Sequence, residues 1–242
     1  MKEKSSIIIS IIISVALIVS AAFISYGIRN VKSSKNTIII TGSAKRQIKS
    51  DFVKWTGYFS AYSSSLNEAY NVLKDSNNKV KKYLMSKGIE EKDIVFSSIN
   101  TQVKNEILPY GMIGNKVEGY MLSQNVEIKS YNVDLITEIS RESTELINQG
   151  VHFESYPPQY YYTKIAELKI DMLGLATNDA MQRAQQIAKN TNTKVGRLRA
   201  AKMGVFQITP LYSTEVSDTG IFDTSSIDKE ITAVVNCEFE IK

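Results

Sequence analysis

The chain has 242 residues, 43% hydrophobic and 22% charged, with one Cys, one His and four Pro; this composition can form a core, excludes long proline-rich disorder, and leaves no cysteine pair for an internal disulfide. The formal charge of +4 is local: residues 1–36 hold Lys2, Lys4, Arg29, Lys32 and Lys35 against Glu3, which leaves residues 37–242 neutral. A neutral domain lacks the basic footprint of a nucleic-acid binder, so no nucleic-acid partner is expected.

From Ser5 to Ile28 there is no charge, and Ile7 to Ile24 is almost entirely apolar, bracketed by Lys4 and Arg29 with Tyr26 at its end. A spanning helix needs about 20 apolar residues, so residues 7–26 are expected to form a single-pass transmembrane helix, with residues 1–36 as anchor and basic linker. Val19-Ser20-Ala21 also suits a signal-peptide cleavage after Ala21, but the run exceeds a usual signal core. Charge alone slightly favours the opposite orientation; the placement at the N-terminus points to a domain on the extracytoplasmic side of the cell membrane.

Apolar periodicity then predicts one α+β domain over 37–242, with a mixed or antiparallel sheet and three helices. Thr37–Ala44 is a first strand. Asp51–Tyr62 is a second, with Val53, Trp55, Phe59 and Ala61 on one face and Gly57 among them. Ser65 and Glu68 form a capping box, opening a helix whose Leu66, Tyr70, Leu73, Val80 and Leu84 face inward and which Gly88 ends. Ile94–Val103 and Val117–Ile128 are strands. Asn132 caps a helix to about Gln149, closed by Gly150. Val151–Tyr162 holds a diproline that limits pairing. A helix from about Thr163 to Asn190 places Ala176, Ala180, Ala184 and Ala188 four apart, a flat stripe for close packing. Val195–Thr209 and Glu230–Lys242 are the last strands. Between them, Leu211–Lys229 has loop composition and carries Glu215, Asp218, Asp223 and Asp228; it is expected to be solvated, with Ser213–Asp228 dispensable for the fold.

Four stretches together resemble the SIMPL-domain family, formerly a domain of unknown function: Thr37–Ser43 with its glycine turn, Ser86–Ile94, Gly119-Tyr120, and Ala176–Val205 with the alanine row, Lys194-Val195 and Gly196. The resemblance covers essentially all of 37–242. It implies an α+β fold, a bacterial envelope location and, in some relatives, assembly into rings. It transfers no catalytic residues, because the family has no agreed set.

The residues themselves offer little chemistry. His152 is the only histidine, so no histidine-pair metal motif exists, and it lacks a nameable partner. Cys237 falls on the apolar face of the last strand, where a thiol behaves as a small hydrophobe. Gly111, Gly114 and Gly119 do not make a phosphate loop. No catalytic residue, metal or cofactor is assigned. Two apolar connections stand out as candidate interfaces: Ile107, Leu108, Tyr110, Met112 and Ile113 between two strands, and Tyr156, Tyr160, Tyr161 and Tyr162. The expected function is a membrane-anchored, non-enzymatic envelope module that forms homo-oligomers or binds an envelope protein. The alternatives are a carrier of an apolar small ligand and an enzyme with a diffuse site.

Overall fold

The computed structural model describes residues 13–25 and 36–242. In chain order the elements are α1 (13–25), β1 (Thr37–Lys49), β2 (Phe52–Ser63), α2 (Leu66–Ser86), β3 (Ile94–Phe96), β4 (Asn100–Ile107), β5 (Ile113–Ser130) and α3 (Val133–Glu142). There follow β6 (His152–Ser155), β7 (Gln159–Tyr161), α4 (Ile165–Asn190), β8 (Val195–Met203), β9 (Gln207–Pro210), β10 (Ile221–Phe222) and β11 (Asp228–Ile241). The fold is mixed α+β, with three helices beyond residue 36 in addition to α1. All residues of α1 are exposed. Among the described residues no helix is long and apolar enough to cross a membrane; residues 7–12 and 26 of the expected span lie outside the described residues.

Two compact units share the chain. One takes the described residues up to Ala44 together with Ile170–Val205 and Ala233–Lys242; the other takes Lys45–Lys169 and Phe206–Thr232. The second unit contains an antiparallel sheet in the order β3-β5-β2-β6, with β4 also beside β5 and β7 beside β2. Its core forms because β2 alternates. Val53, Trp55, Phe59 and Ala61 share one buried face and pack with Leu73, Val80 and Leu84 of α2 and with Ile136 and Ile139 of α3. Gly57 belongs to that face because a Cβ there would lie 2.4 Å from Cζ of Phe153.

Several boundaries differ from the sequence expectation. In α2 the buried stripe is Ala69, Leu73, Ser76, Val80, Tyr83 and Leu84, while Leu66 and Tyr70 are exposed. Ser65 is the N-cap residue but its side chain makes no capping bond. Ser63 replaces it: its Oγ accepts from the Ser65 N–H (3.2 Å) and donates to Glu68 (2.5 Å). The C-terminus is as expected, with Gly88 at φ +93° and the Ile89 N–H reaching the Leu84 carbonyl at 3.1 Å. The predicted strand 94–103 is two strands, because Ser97 leaves the ladder to bond Asn125 and the Gln124 side chain. Asn132 does cap α3, its Oδ1 accepting from the Leu135 N–H at 3.1 Å, but the helix ends at Glu142 and continues to Gln149 as a tighter 3₁₀ stretch.

In the first unit the alanine stripe explains the glycine turn. Ala176, Ala180, Ala184 and Ala188 are buried, and a Cβ on Gly42 would sit 2.1 Å from the Ala176 carbonyl and 2.6 Å from the Ala180 nitrogen. Strand and helix backbones therefore touch where both side chains are minimal. Asp179 Oδ2 accepts from the Ser43 N–H at 2.8 Å, which holds its carboxyl below the usual range. From β11, Ala233, Val235, Cys237 and Phe239 are buried. The predicted strand 195–209 divides into β8 and β9 near Gly204, whose N–H bonds the Val234 carbonyl.

Candidate interaction surface

The last β2–β5 pair is Ser63 with Tyr120, yet β5 begins seven residues earlier and pairs there with β4 alone. Residues 104–119 thus form a two-stranded ribbon beyond β2, and among the described residues no strand occupies either outer edge. Gly119 sits where the ribbon leaves the sheet, with room for no Cβ beneath the Tyr62 phenol, whose OH donates to the Glu118 carbonyl. The tip closes with the Leu108 N–H on the Met112 carbonyl (2.8 Å) and the Gly111 N–H on the Leu108 carbonyl (3.1 Å). Tyr110 (φ +65°) and Gly111 (φ +79°) are both left-handed, so a bulky tyrosine occupies a conformation that favours glycine.

This backbone turns the apolar side chains outward. Ile107 and Ile113 are cross-strand partners and both lie in water, with Met112 and part of Leu108; Tyr110 is fully exposed. Burying each large side chain against a partner would gain about 1.5–3 kcal/mol before the cost of association. The tip is a contiguous apolar group with no core of its own.

The tyrosine segment behaves differently. Tyr160 is buried in the core, and its OH lies 3.0 Å from Thr137 Oγ1; it is corrected from candidate interface to core residue. Its alternation with Gln159 in β7, paired to Val53 of β2, turns it inward. Tyr161 is half-buried against Phe52, itself edge-on to Tyr131. Tyr162 is half-buried and Tyr156 partly exposed. The segment contributes no continuous patch comparable to the ribbon tip.

The segment 211–229, expected as a solvated loop, is anchored. β10 pairs in parallel with β9, Ile227 packs on the core of the second unit, and the carbonyls of Ile227 and Thr224 accept from the N–H groups of Ser50 and Tyr160. At its centre Lys229 is 2% exposed and Asp223 8%. Lys229 Nζ donates to the Asp223 carbonyl (2.7 Å) and carboxylate (3.0 Å). The same carboxylate accepts from the backbone N–H and hydroxyl groups of Ser225 and Ser226. Burial works to raise the Asp223 pKa, but these donors outweigh it and hold the carboxyl well below the usual range. Burial lowers that of Lys229 against the opposing pull of Asp223. The sequence signal was the run Asp-Thr-Ser-Ser, an Asx-turn composition, followed by a lysine at the start of a strand.

His152 Nδ1 lies 3.1 Å from Ser60 Oγ on paired positions of β6 and β2, a contact that sequence reasoning missed because the partners are 92 residues apart. Among the described residues this hydrogen-bond chain ends at the pair, short of the oriented base that an activated nucleophile needs. Cys237 is buried, which pushes its thiol pKa up and away from a reactive thiolate. Among the described residues no three His, Cys, Asp or Glu side chains converge to hold a metal.

A family model described as "SIMPL: Protein of unknown function (DUF541)" matches residues 38–239. The match spans both compact units, and the chain belongs to the SIMPL family. No curated protein matches it.

Proposed function

We propose that this member of the SIMPL family is a membrane-anchored, non-enzymatic module of the cell envelope that self-associates, or binds an envelope protein, through the tip of its β4–β5 ribbon. The observation that carries the reading is the tip: Ile107, Tyr110, Met112 and Ile113 exposed together on a ribbon whose outer edges have no partner strand among the described residues. Open strand edges and exposed apolar side chains are the two ingredients of strand addition. Leu108→Ser, Met112→Ser and Ile113→Ser in one variant should lower the mass of the full chain in mild detergent while leaving its circular dichroism unchanged. An oligomer of unchanged mass would remove the tip from the interface, and a monomeric wild-type chain at high concentration would end the self-association reading.

The anchor rests on the uncharged run bracketed by Lys4 and Arg29. N-terminal sequencing of the protein recovered from membranes tests it: retention of residues 1–21 supports the anchor, and a start at Ala22 replaces it with an exported domain. The extracytoplasmic placement is tested by proteolysis of intact cells, which should digest the domain from outside.

A further inference from the structure

At one end of the first unit four parts of the chain meet. The Ile241 N–H donates to the Asn36 carbonyl at 2.9 Å, Lys194 and Lys242 exchange two backbone hydrogen bonds at 2.8 Å, and the Thr193 N–H donates to the Ala188 carbonyl at 3.0 Å. Residue 36, the end of β11, the start of β8 and the last turn of α4 therefore share one edge. From Met181 to Met203 the sequence carries Arg183, Lys189, Lys194, Arg197, Arg199 and Lys202 and no acidic residue. The acids nearby are already held, Asp179 by Arg183 (2.8 Å) and Glu240 by Arg197 (3.1 Å) and Arg199, and the Arg197 hydrogen bond keeps the Glu240 carboxyl below the usual range. Lys189 and Lys194 are exposed, with no ion pair among the described residues. They border a groove of about 400 Å³ that is also lined by Met181, Ala188 and Val195.

We propose that this edge docks on a membrane leaflet rich in anionic phospholipid, with Lys189 and Lys194 against the headgroup phosphates. The inference rests on the reading that residues 7–26 are an anchor. Given that anchor, residues 27–35 extend to at most about 32 Å, so the edge carrying Asn36 stays close to the membrane surface. Cationic side chains beside apolar ones match the chemistry of the headgroup boundary. A docked edge also gives the tethered domain a defined face toward lipid, leaving the rest of its surface for protein partners.

The test uses the full chain reconstituted in phosphatidylcholine vesicles with or without phosphatidylglycerol, with lysine acetylation by a water-soluble reagent read residue by residue by mass spectrometry. Lys189 and Lys194 should react about fivefold more slowly in the anionic vesicles, the factor expected for one lysine near an anionic leaflet. The protection should vanish in high salt. Lys202, paired with Asn236 toward the other end of β8, should react alike in both. Lys194→Glu should return Lys189 in anionic vesicles toward its rate in neutral ones. Equal rates in the two lipids would overturn docking, and so would equal protection in neutral vesicles given inorganic phosphate, which would mark a free-anion site. Alkaline carbonate extraction separates the two readings: release of the chain refutes the anchor, whereas retention with unprotected lysines refutes the docking face alone.

Discussion

Asp223→Ala is the sharpest perturbation of this structure. It removes the carboxylate that accepts from Lys229 Nζ and from the N–H and hydroxyl groups of Ser225 and Ser226. The Lys229 ammonium, 2% exposed, is left with the residue-223 carbonyl alone. Removing one member of a buried ion pair costs about 3–5 kcal/mol, because the surviving charge stays desolvated. For a protein of this size that corresponds to a fall in Tm of about 6–20 °C. Lys229→Met in the same background should recover most of the loss, since the remaining cost is of serine donors that water can reach more readily than a buried ammonium. Differential scanning calorimetry of wild type, both single variants and the double variant measures the effect and the coupling. An Asp223→Ala shift below about 2 °C would show that Lys229 is not stranded by the loss of its partner, and a double variant no more stable than Asp223→Ala would place the loss in the serine turn rather than in the stranded cation.

Four further outcomes follow from particular contacts. The Asp223 carboxyl is depressed in the folded state, so its contribution is present above the unfolded pKa and lost as pH falls; acid melts of wild type should lose stability faster than those of Asp223→Ala below about pH 4. Gly42→Ala should cost about 1–3 kcal/mol in chemical denaturation, because the new Cβ meets backbone atoms of α4. Ser63→Ala should destabilise by about 1 kcal/mol and Ser65→Ala by less than about 0.5 kcal/mol, the reverse of what a Ser65 capping box would give. Deleting residues 213–228 should unfold the second unit, since it removes Asp223, Thr224 and Ile227; an unchanged circular dichroism spectrum would contradict the anchoring.

The sequence disclosed features set by short-range periodicity. The inward face of β2, the Asn132 cap, the glycine ends at Gly88 and Gly150, and the alanine stripe of α4 all depend on spacing along one element, which a single chain displays. It misled where a long-range partner decides. Leu66 and Tyr70 fit a helical stripe, but the sheet selects the stripe through Ala69 and Leu73. Tyr160 looked like part of an exposed cluster until β2 and Thr137 claimed it. The segment 211–229 has loop composition, and its order comes from one carboxylate, two serines and a lysine whose geometry composition does not encode. For the interaction surface, the apolar tip was visible in sequence; that it rides on a ribbon extending past β2 was not, because strand length beyond a neighbour is a property of the pairing register.

The pairing of β1 with β11 has a consequence for the order of events in synthesis. Thr41 Oγ1 donates to the Asn236 side chain 195 residues later, and among the described residues β11 is the strand beside β1. The first strand made is therefore among the last to find its place. At about 5–20 residues per second, it waits about 10–40 s after emerging before its neighbour exists. During that interval Ile38, Ile39 and Ile40 form a naked, strand-prone apolar run of the kind that seeks any open edge. A factor that covers this segment until residue 236 has been delivered would keep it from pairing elsewhere.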